Sequence, residues 1–449
     1  MTFLIYKKKL YQINKRLEKQ GVTMDKIIDV TAREILDSRG NPTIEAKVVL
    51  SSGKTGIAAV PSGASTGKRE AVELRDGDTK RFSGKGVLNA VENINEKISK
   101  VILNLDPLKQ NSIDEIMIDL DNTENKENLG ANSILAVSLA TMKSGAKSLE
   151  IPLYKYINEL YDSDNEISLP VPMMNILNGG AHAEGSTDFQ EIMIAPIGFN
   201  KFREALRCGV EIYHVLKNNL IKNNHVTTVG DEGGFAPQNL SNSEAINYVA
   251  QSIKDAGYKL GDEVYIALDV AASEFYINNE YHLSRENKVL SSKLLVSEYE
   301  KLCEQYPIYS IEDGLSEDDW DGWANLTRNL GDNVQLVGDD LFVTQEKYLK
   351  NGINNKSANS ILIKLNQVGT VSETLSAIRL AKKSGFKCII SHRSGETEDT
   401  TISDFAVGVS SGQIKTGAPN RSERVAKYNR LLSIEQSIGD NKYTGKSIL

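Results

Sequence analysis

From residue 265 onward, six short apolar runs each lead into residues that can carry charge. Asp269 follows Tyr265–Leu268, and Glu312 with Asp313 follows Ile308–Ile311. Asp339 and Asp340 lie just beyond Val334–Val337, and Lys364 ends Ser360–Ile363. His392-Arg393-Ser394 closes the run Cys388–Ile390, and Lys415 follows Gln413–Ile414. Helix-length amphipathic stretches such as Ser292–Gln305 and Thr370–Lys383 lie between the runs. This βα alternation over about 250 residues predicts a closed barrel, and no glycine-rich dinucleotide fingerprint follows any strand to suggest an open sheet. In such a barrel the strand C-termini converge on one rim, where active sites of the fold are built. One polar strand end needs no explanation, since strand ends meet water. Six in succession, reading Asp, Glu, Asp, Lys, His-Arg and Lys, are poorly explained that way.

The residues before the barrel have a different rhythm. Strand-like alternation runs from Met24 to a turn cluster at Ser38–Pro42, and Thr43–Leu50 is followed by the hairpin signal Ser51-Ser52-Gly53. A third strand, Thr55–Val60, leads into Pro61-Ser62-Gly63-Ala64-Ser65-Thr66-Gly67. Helical patterns then occupy Val87–Leu103, Ile113–Leu120, Asn132–Leu149 and Leu153–Leu160. The expected fold class is α/β: a small α+β domain over 24–160, then a (β/α)8-type barrel over 168–449.

The rim residues make chemical sense together. Carboxylates from three separate strands form a hard oxygen site of the kind magnesium prefers, with positions left for water and substrate oxygens. A lysine near that metal and a second lysine can lose its proton and act as a base. The planar Arg393 fork suits a phosphate or carboxylate. The residues alone therefore point to a metal-assisted reaction on a small anion. Gly230-Asp231-Glu232-Gly233-Gly234 and the 61–67 loop are weaker signals, because turns attract Asp and Gly and a loop of this composition need not cradle anything. His182 sits in a glycine-rich loop and can touch ligand, whereas His214 lies within a helical run and reads as structural.

Charge and cysteine usage exclude other classes. The net charge is −8 although residues 1–23 set six basic residues against Glu18, so the body of the chain is more acidic still. That argues against general affinity for nucleic acid, and it requires an anionic substrate to be held by local cations. No apolar run approaches the ~18–20 residues needed to span a bilayer. The three cysteines are odd in number and far apart, fitting neither a disulfide framework nor a zinc site, so a reducing cytoplasm is expected.

The motifs, in order, resemble those of the enolases. They are Asp37–Thr43, Pro61–Gly67, Gly230–Gly234, Leu268–Phe275, Ser310–Gly314, Gly338–Thr344, Lys364–Thr370, Ser391–Thr400 and Lys415–Arg424. The resemblance runs from about Met24 to the C-terminus, with Ser391–Thr400 particularly specific and Ile311–Leu315 and Gly338–Thr344 leaning toward the bacterial branch. It implies a lyase that interconverts 2-phosphoglycerate and phosphoenolpyruvate with two magnesium ions. By resemblance, Asp269, Glu312 and Asp339 hold the first ion and Ser65 contributes to the second. Lys364 is the implied base at C2, and Glu232 the implied acid at the C3 hydroxyl, supported by Glu191. Gln190 and His182 line the implied substrate pocket. Arg393 and Ser394 clamp phosphate with His392 beside them, and Lys415 meets the substrate carboxylate. A lysine base beside one or two magnesium ions is the established pattern of this superfamily.

The family pattern also implies a homodimer or a ring of dimers in the cytoplasm, with a secondary surface role reported for some members. Two departures stand out. Glu184 occupies a loop position where a smaller residue is expected. Ser433 replaces an arginine that in the family pairs across the dimer with the position of Glu45, while the pair Arg33 with Glu423 is kept. One lost exposed pair is worth only ~0–1 kcal/mol, so a dimer remains the expectation. Residues 1–23 have no counterpart in the family pattern and are expected to be a disordered extension, with Met24 as the natural start. Two other readings stay open: a related sugar-acid dehydratase or racemase, and a binding protein for which the barrel is only a scaffold.

Overall fold

A computed structural model of the chain describes residues 25–63, 67–162 and 166–449. The extension at 1–23 and the predicted metal ligand Ser65 lie outside the described residues. The first domain opens with an antiparallel sheet of β1 (Ile27–Leu36), β2 (Pro42–Leu50) and β3 (Thr55–Ala59) in sequential order. The β1–β2 turn is made locally. Asp37 Oδ1 accepts the backbone N–H of Arg39 at 2.9 Å and of Asn41 at 2.8 Å, while Gly40 takes a left-handed φ of 74°. Helices α1 (Gln110–Asp121), α2 (Ala131–Ser148) and α3 (Leu153–Tyr161) follow. Almost the whole of α2 is buried, because the sheet covers one side and the barrel the other. Gly56 permits that contact: a Cβ there would sit 1.9 Å from Ala140 O on α2.

The second domain is a closed eight-stranded barrel of β4 (Val171–Asn178), β5 (Glu191–Ala195), β6 (Tyr265–Asp269), β10 (Ile308–Glu312), β11 (Gln335–Gly338), β12 (Ser360–Ile363), β13 (Lys387–Ser391) and β14 (Gly412–Lys415). A small side sheet, β7 (Tyr276–Ile277), β8 (Glu280–Leu283) and β9 (Lys288–Leu290), branches off after β6. All six predicted apolar runs are barrel strands. The two further strands, β4 and β5, correct a purely alternating picture. Strand β5 runs antiparallel to both β4 and β6. The segment between β4 and β5 contains a single 3-10 turn and no crossover helix, so the chain returns antiparallel. Helices α4 (Phe202–Lys222) and α5 (Asn242–Asp255) then separate β5 from β6. Met173, Met193, Ala267, Val337, Leu362 and Ile389 fill the barrel interior.

The first domain docks on the outside of the barrel through polar contacts as well as packing. Ser138 Oγ and Asp114 Oδ2 accept the N–H groups of Val371 and Ser372, both at 3.0 Å, capping barrel helix α10 (Val371–Lys383) from another domain. Lys126 pairs with Glu373 at 3.0 Å and Lys143 with Asp399 at 2.6 Å across the same boundary. Asp399 also accepts Ala59 N, which ties the Ser391–Thr400 motif to the end of β3. Among the described residues, no helix is long and apolar enough to cross a membrane.

Candidate active site at the barrel rim

Strand register brings the carboxylates together. Asp269 on β6 lies opposite Glu312 on parallel β10 and opposite Glu191 on antiparallel β5. Because β5 is reversed, its N-terminal residue reaches the same rim as the C-terminal ends of its neighbours. Asp339 follows β11, whose Val337 is paired with Glu312. Asp313 holds this turn: its two carboxylate oxygens accept the N–H groups of Asp339 and Asp340, each at 2.9 Å. All four rim carboxylates are buried.

Two lysines sit among them. Lys415 Nζ lies 2.8 Å from Asp269 Oδ2, 2.9 and 3.0 Å from the Glu312 oxygens, and 3.2 Å from Glu191 Oε1. Lys364 Nζ donates to Asp339 Oδ2. Burial alone would lower both lysine pKa values. The surrounding carboxylates reverse that, raising Lys364 and lifting Lys415 well above the usual range. Lys364 is therefore held as an ammonium by Asp339, against the expectation of an easily lost proton. The groups that work against its proton are nonetheless present: burial, Arg393 and Lys415. Engaging the Asp339 charge elsewhere would let them prevail.

A second buried cluster faces the lysines. Glu232 accepts hydrogen bonds from Asn175 Nδ2 at 3.1 Å and Ser394 Oγ at 3.2 Å. His392 Nε2 is 3.4 Å from Glu232 Oε2. Arg424, always a donor, meets His392 Nδ1 at 2.6 Å, so the imidazole is neutral with its N–H turned toward Glu232. Burial accordingly drives the His392 pKa down to about 4. Burial would raise Glu232, but His392, His182 and Arg424 outweigh it and hold the carboxyl well below its usual range. Glu191 moves the opposite way, raised by burial and by the Glu232 charge. His182 links the two: Nε2 contacts Ser394 Oγ at 3.0 Å, and Nδ1 is 3.6 Å from Glu191 and 3.8 Å from Glu232. The two carboxyls flanking His182 are thus driven apart in proton affinity, Glu191 upward and Glu232 downward.

The Gly230–Gly234 turn is shaped to present Glu232. Gly233 has φ of 89° and packs against Asn420, and a Cβ on Gly234 would strike Asn178 Oδ1 at 2.6 Å. The fork of Arg393 is buried and meets Glu70 and Asn366. Gln190 Nε2 reaches Asp269 at 3.4 Å. Every predicted site residue among those described lies at this rim.

The donor set fits a hard divalent cation. Glu312 is raised well above the carboxylate range by burial and by the neighbouring Asp269 charge, and buried carboxylate oxygens gathered in this way are the donors a hard cation takes. Lysine ammonium groups compensate that charge in this structure. Among the described residues, two groupings have three ligand atoms within 4.8 Å of one another: Asp313, Asp339 and Asp340, and His182, Glu191 and Glu232. The predicted triple is spread more widely, because Lys415 stands between Asp269 and Glu312 while Lys364 holds Asp339.

Residues 27–157 match the family model described as the enolase N-terminal domain, and residues 166–449 match the enolase C-terminal TIM barrel domain. The chain belongs to the enolase family. Four residues of this enolase-family site escaped the sequence pattern: Asn175, Arg424, Gln367 and Glu70. Asn175 lies on a strand the pattern did not reveal. Gln367 lies on the short helix α9 (Leu365–Val368), which begins directly after Lys364. Glu70 and Arg424 act across domains or motifs, at separations no local pattern reports.

Proposed function

We propose that this enolase-family enzyme reversibly dehydrates 2-phosphoglycerate to phosphoenolpyruvate. The observation that carries the reading is the meeting, on one rim, of two lysines among strand-end carboxylates with the oppositely shifted pair Glu191 and Glu232. Lys364 takes the proton from C2, and the electron pair left on carbon becomes the C2–C3 double bond as the C3 oxygen departs. The Glu191–Glu232 pair supplies the proton with which that oxygen leaves as water. His182 and Gln190 shape the pocket, Arg393, Ser394 and His392 hold the phosphate end, and Lys415 orients the carboxylate. Asp269, Glu312 and Asp339 would hold one magnesium ion and Ser65 would contribute to a second. The ions supply electrostatic stabilisation for the negative charge that develops on the substrate carboxylate.

The reaction belongs to glycolysis and gluconeogenesis, and we place it in the cytoplasm of a cell of bacterial type. Buried or half-buried free thiols support that compartment, with burial pushing the Cys388 thiol up to about 12. We also propose a homodimer or a ring of dimers. In support, Leu36 and Ile57 stand exposed in one groove with Glu45 and Glu423. Within a single chain Glu45 pairs instead with Arg33, at 2.8 Å across β1 and β2, and Glu423 with Arg421 at 2.7 Å.

The metal assignment is tested by Asp339→Asn. Because Asp339 supplies charge to the ion and also holds Lys364, the variant should lose magnesium affinity and activity together. Calorimetric titration showing unchanged magnesium affinity would remove Asp339 from the ligand set.

A further inference from the structure

The carboxylate of Glu70 fills the fork of Arg393. Nη1 donates to Oε2 at 2.9 Å and Nη2 to Oε1 at 3.1 Å, with both side chains almost fully enclosed. Glu70 is itself held in place: its Oε1 accepts Gly67 N at 3.1 Å and Gln367 Nε2 at 3.3 Å. The same Gln367 amide donates to Asp339 Oδ1 at 2.8 Å, and its oxygen accepts Thr344 Oγ1 at 2.7 Å. A hydrogen-bonded chain thus runs from Asp339 through Gln367 and Glu70 to Arg393. Asn366 Oδ1, which also accepts from the Arg393 fork, is neutral.

A bidentate carboxylate uses the same parallel donors that a phosphate would use. A buried guanidinium stripped of its anion is costly, so the carboxylate stabilises the ligand-free state. We propose that Glu70 is a positioning residue that balances the charge of Arg393 in the free enzyme and thereby limits how tightly the substrate phosphate is held. The proposal rests on the reading that Arg393 takes that phosphate. Burial lowers the proton affinity of Arg393, and Glu70, together with the more distant charges of Asp339 and Glu73, more than restores it.

A purely structural Glu70 and a charge-balancing one predict opposite signs. Phosphoenolpyruvate binding would be measured by calorimetry with magnesium present, for the full chain and for Glu70→Gln, Glu70→Asp and Arg393→Met. Glu70→Gln should melt at a lower temperature without ligand, yet bind phosphoenolpyruvate about tenfold more tightly, since an opposing charge a few ångströms away is gone. Glu70→Asp keeps the charge and should stay within about threefold of the parent. The tighter binding should vanish when Glu70→Gln is combined with Arg393→Met. Equal or weaker binding by Glu70→Gln overturns the proposal. If that variant does not fold, Glu70→Asp decides, because tenfold tighter binding there would show that the charge is not what matters. Unchanged binding by Arg393→Met alone would instead refute the phosphate reading of Arg393, whatever Glu70 does.

Discussion

Lys364→Ala is expected to lose both formation of phosphoenolpyruvate and exchange of the C2 hydrogen with solvent deuterium. Glu232→Gln is expected to lose product formation while keeping measurable exchange. The difference follows from the order of events. Only Lys364 is needed to remove the C2 proton, whereas the Glu191–Glu232 pair is needed for the C3 oxygen to leave. Glutamine keeps the shape of Glu232, and its amide oxygen can still accept from Asn175 or Ser394. It cannot deliver a proton. Removing a positioned acid or base typically costs ~100-fold to ~10,000-fold in rate, so both deficits should be plain in NMR exchange and absorbance assays. Wild-type exchange by Lys364→Ala would show that another residue is the base.

Lys415→Met is expected to damage the protein as well as the reaction. The ammonium of Lys415 touches Asp269, Glu312 and Glu191, all buried. Methionine fills the same space and leaves three mutually repelling carboxylates without their cation. Removing one partner of a buried ion pair costs about 3–5 kcal/mol. The loss should depend on pH with a definite sign. Glu312 and Glu191 already have raised pKa values in the folded chain, from burial and from neighbouring carboxylates, and losing Lys415 raises them further. The folded state then binds more protons than the unfolded one, so stability falls as pH rises above the ordinary carboxylate range. The variant should approach the parent as pH falls below about 4, where the carboxyls become protonated in the unfolded chain too. Magnesium should restore part of the deficit by supplying positive charge. Thermal melts across pH, with and without magnesium, check this; equal stability of variant and parent at neutral pH would contradict it.

The rim was legible because barrel topology converts a local pattern into a place. Asp269, Glu312, Asp339, Lys364, His392, Arg393, Ser394 and Lys415 all lie at or just beyond the end of an apolar run, and parallel strands bring such ends together. Glu191 and Gln190 obey the opposite rule. They sit at the start of β5, and a reversed strand delivers its first residue to that rim. Periodicity does not report strand direction, so only the resemblance pointed to them. His182 and Glu232 reside in loops where the motif was visible but the partners were not. The ionisation states were least legible. Sequence suggested a lysine poised to lose its proton, whereas Lys364 is held as an ammonium by Asp339. Proton affinity depends on which charges lie within a few ångströms, and that is set by long-range packing. Arg424 illustrates the same limit: its hold on His392 fixes a tautomer through a contact between β13 and the C-terminal helix α12 (Ser422–Ile438) regions.

The central claim is that this rim dehydrates 2-phosphoglycerate with the help of a bound divalent cation. The most direct measurement follows phosphoenolpyruvate absorbance after 2-phosphoglycerate is added to the purified chain, first with magnesium, then with excess EDTA, then with magnesium restored. Product should form, stop and resume in that order. A folded chain that forms no phosphoenolpyruvate at saturating magnesium, or that continues undisturbed in EDTA, would contradict the account.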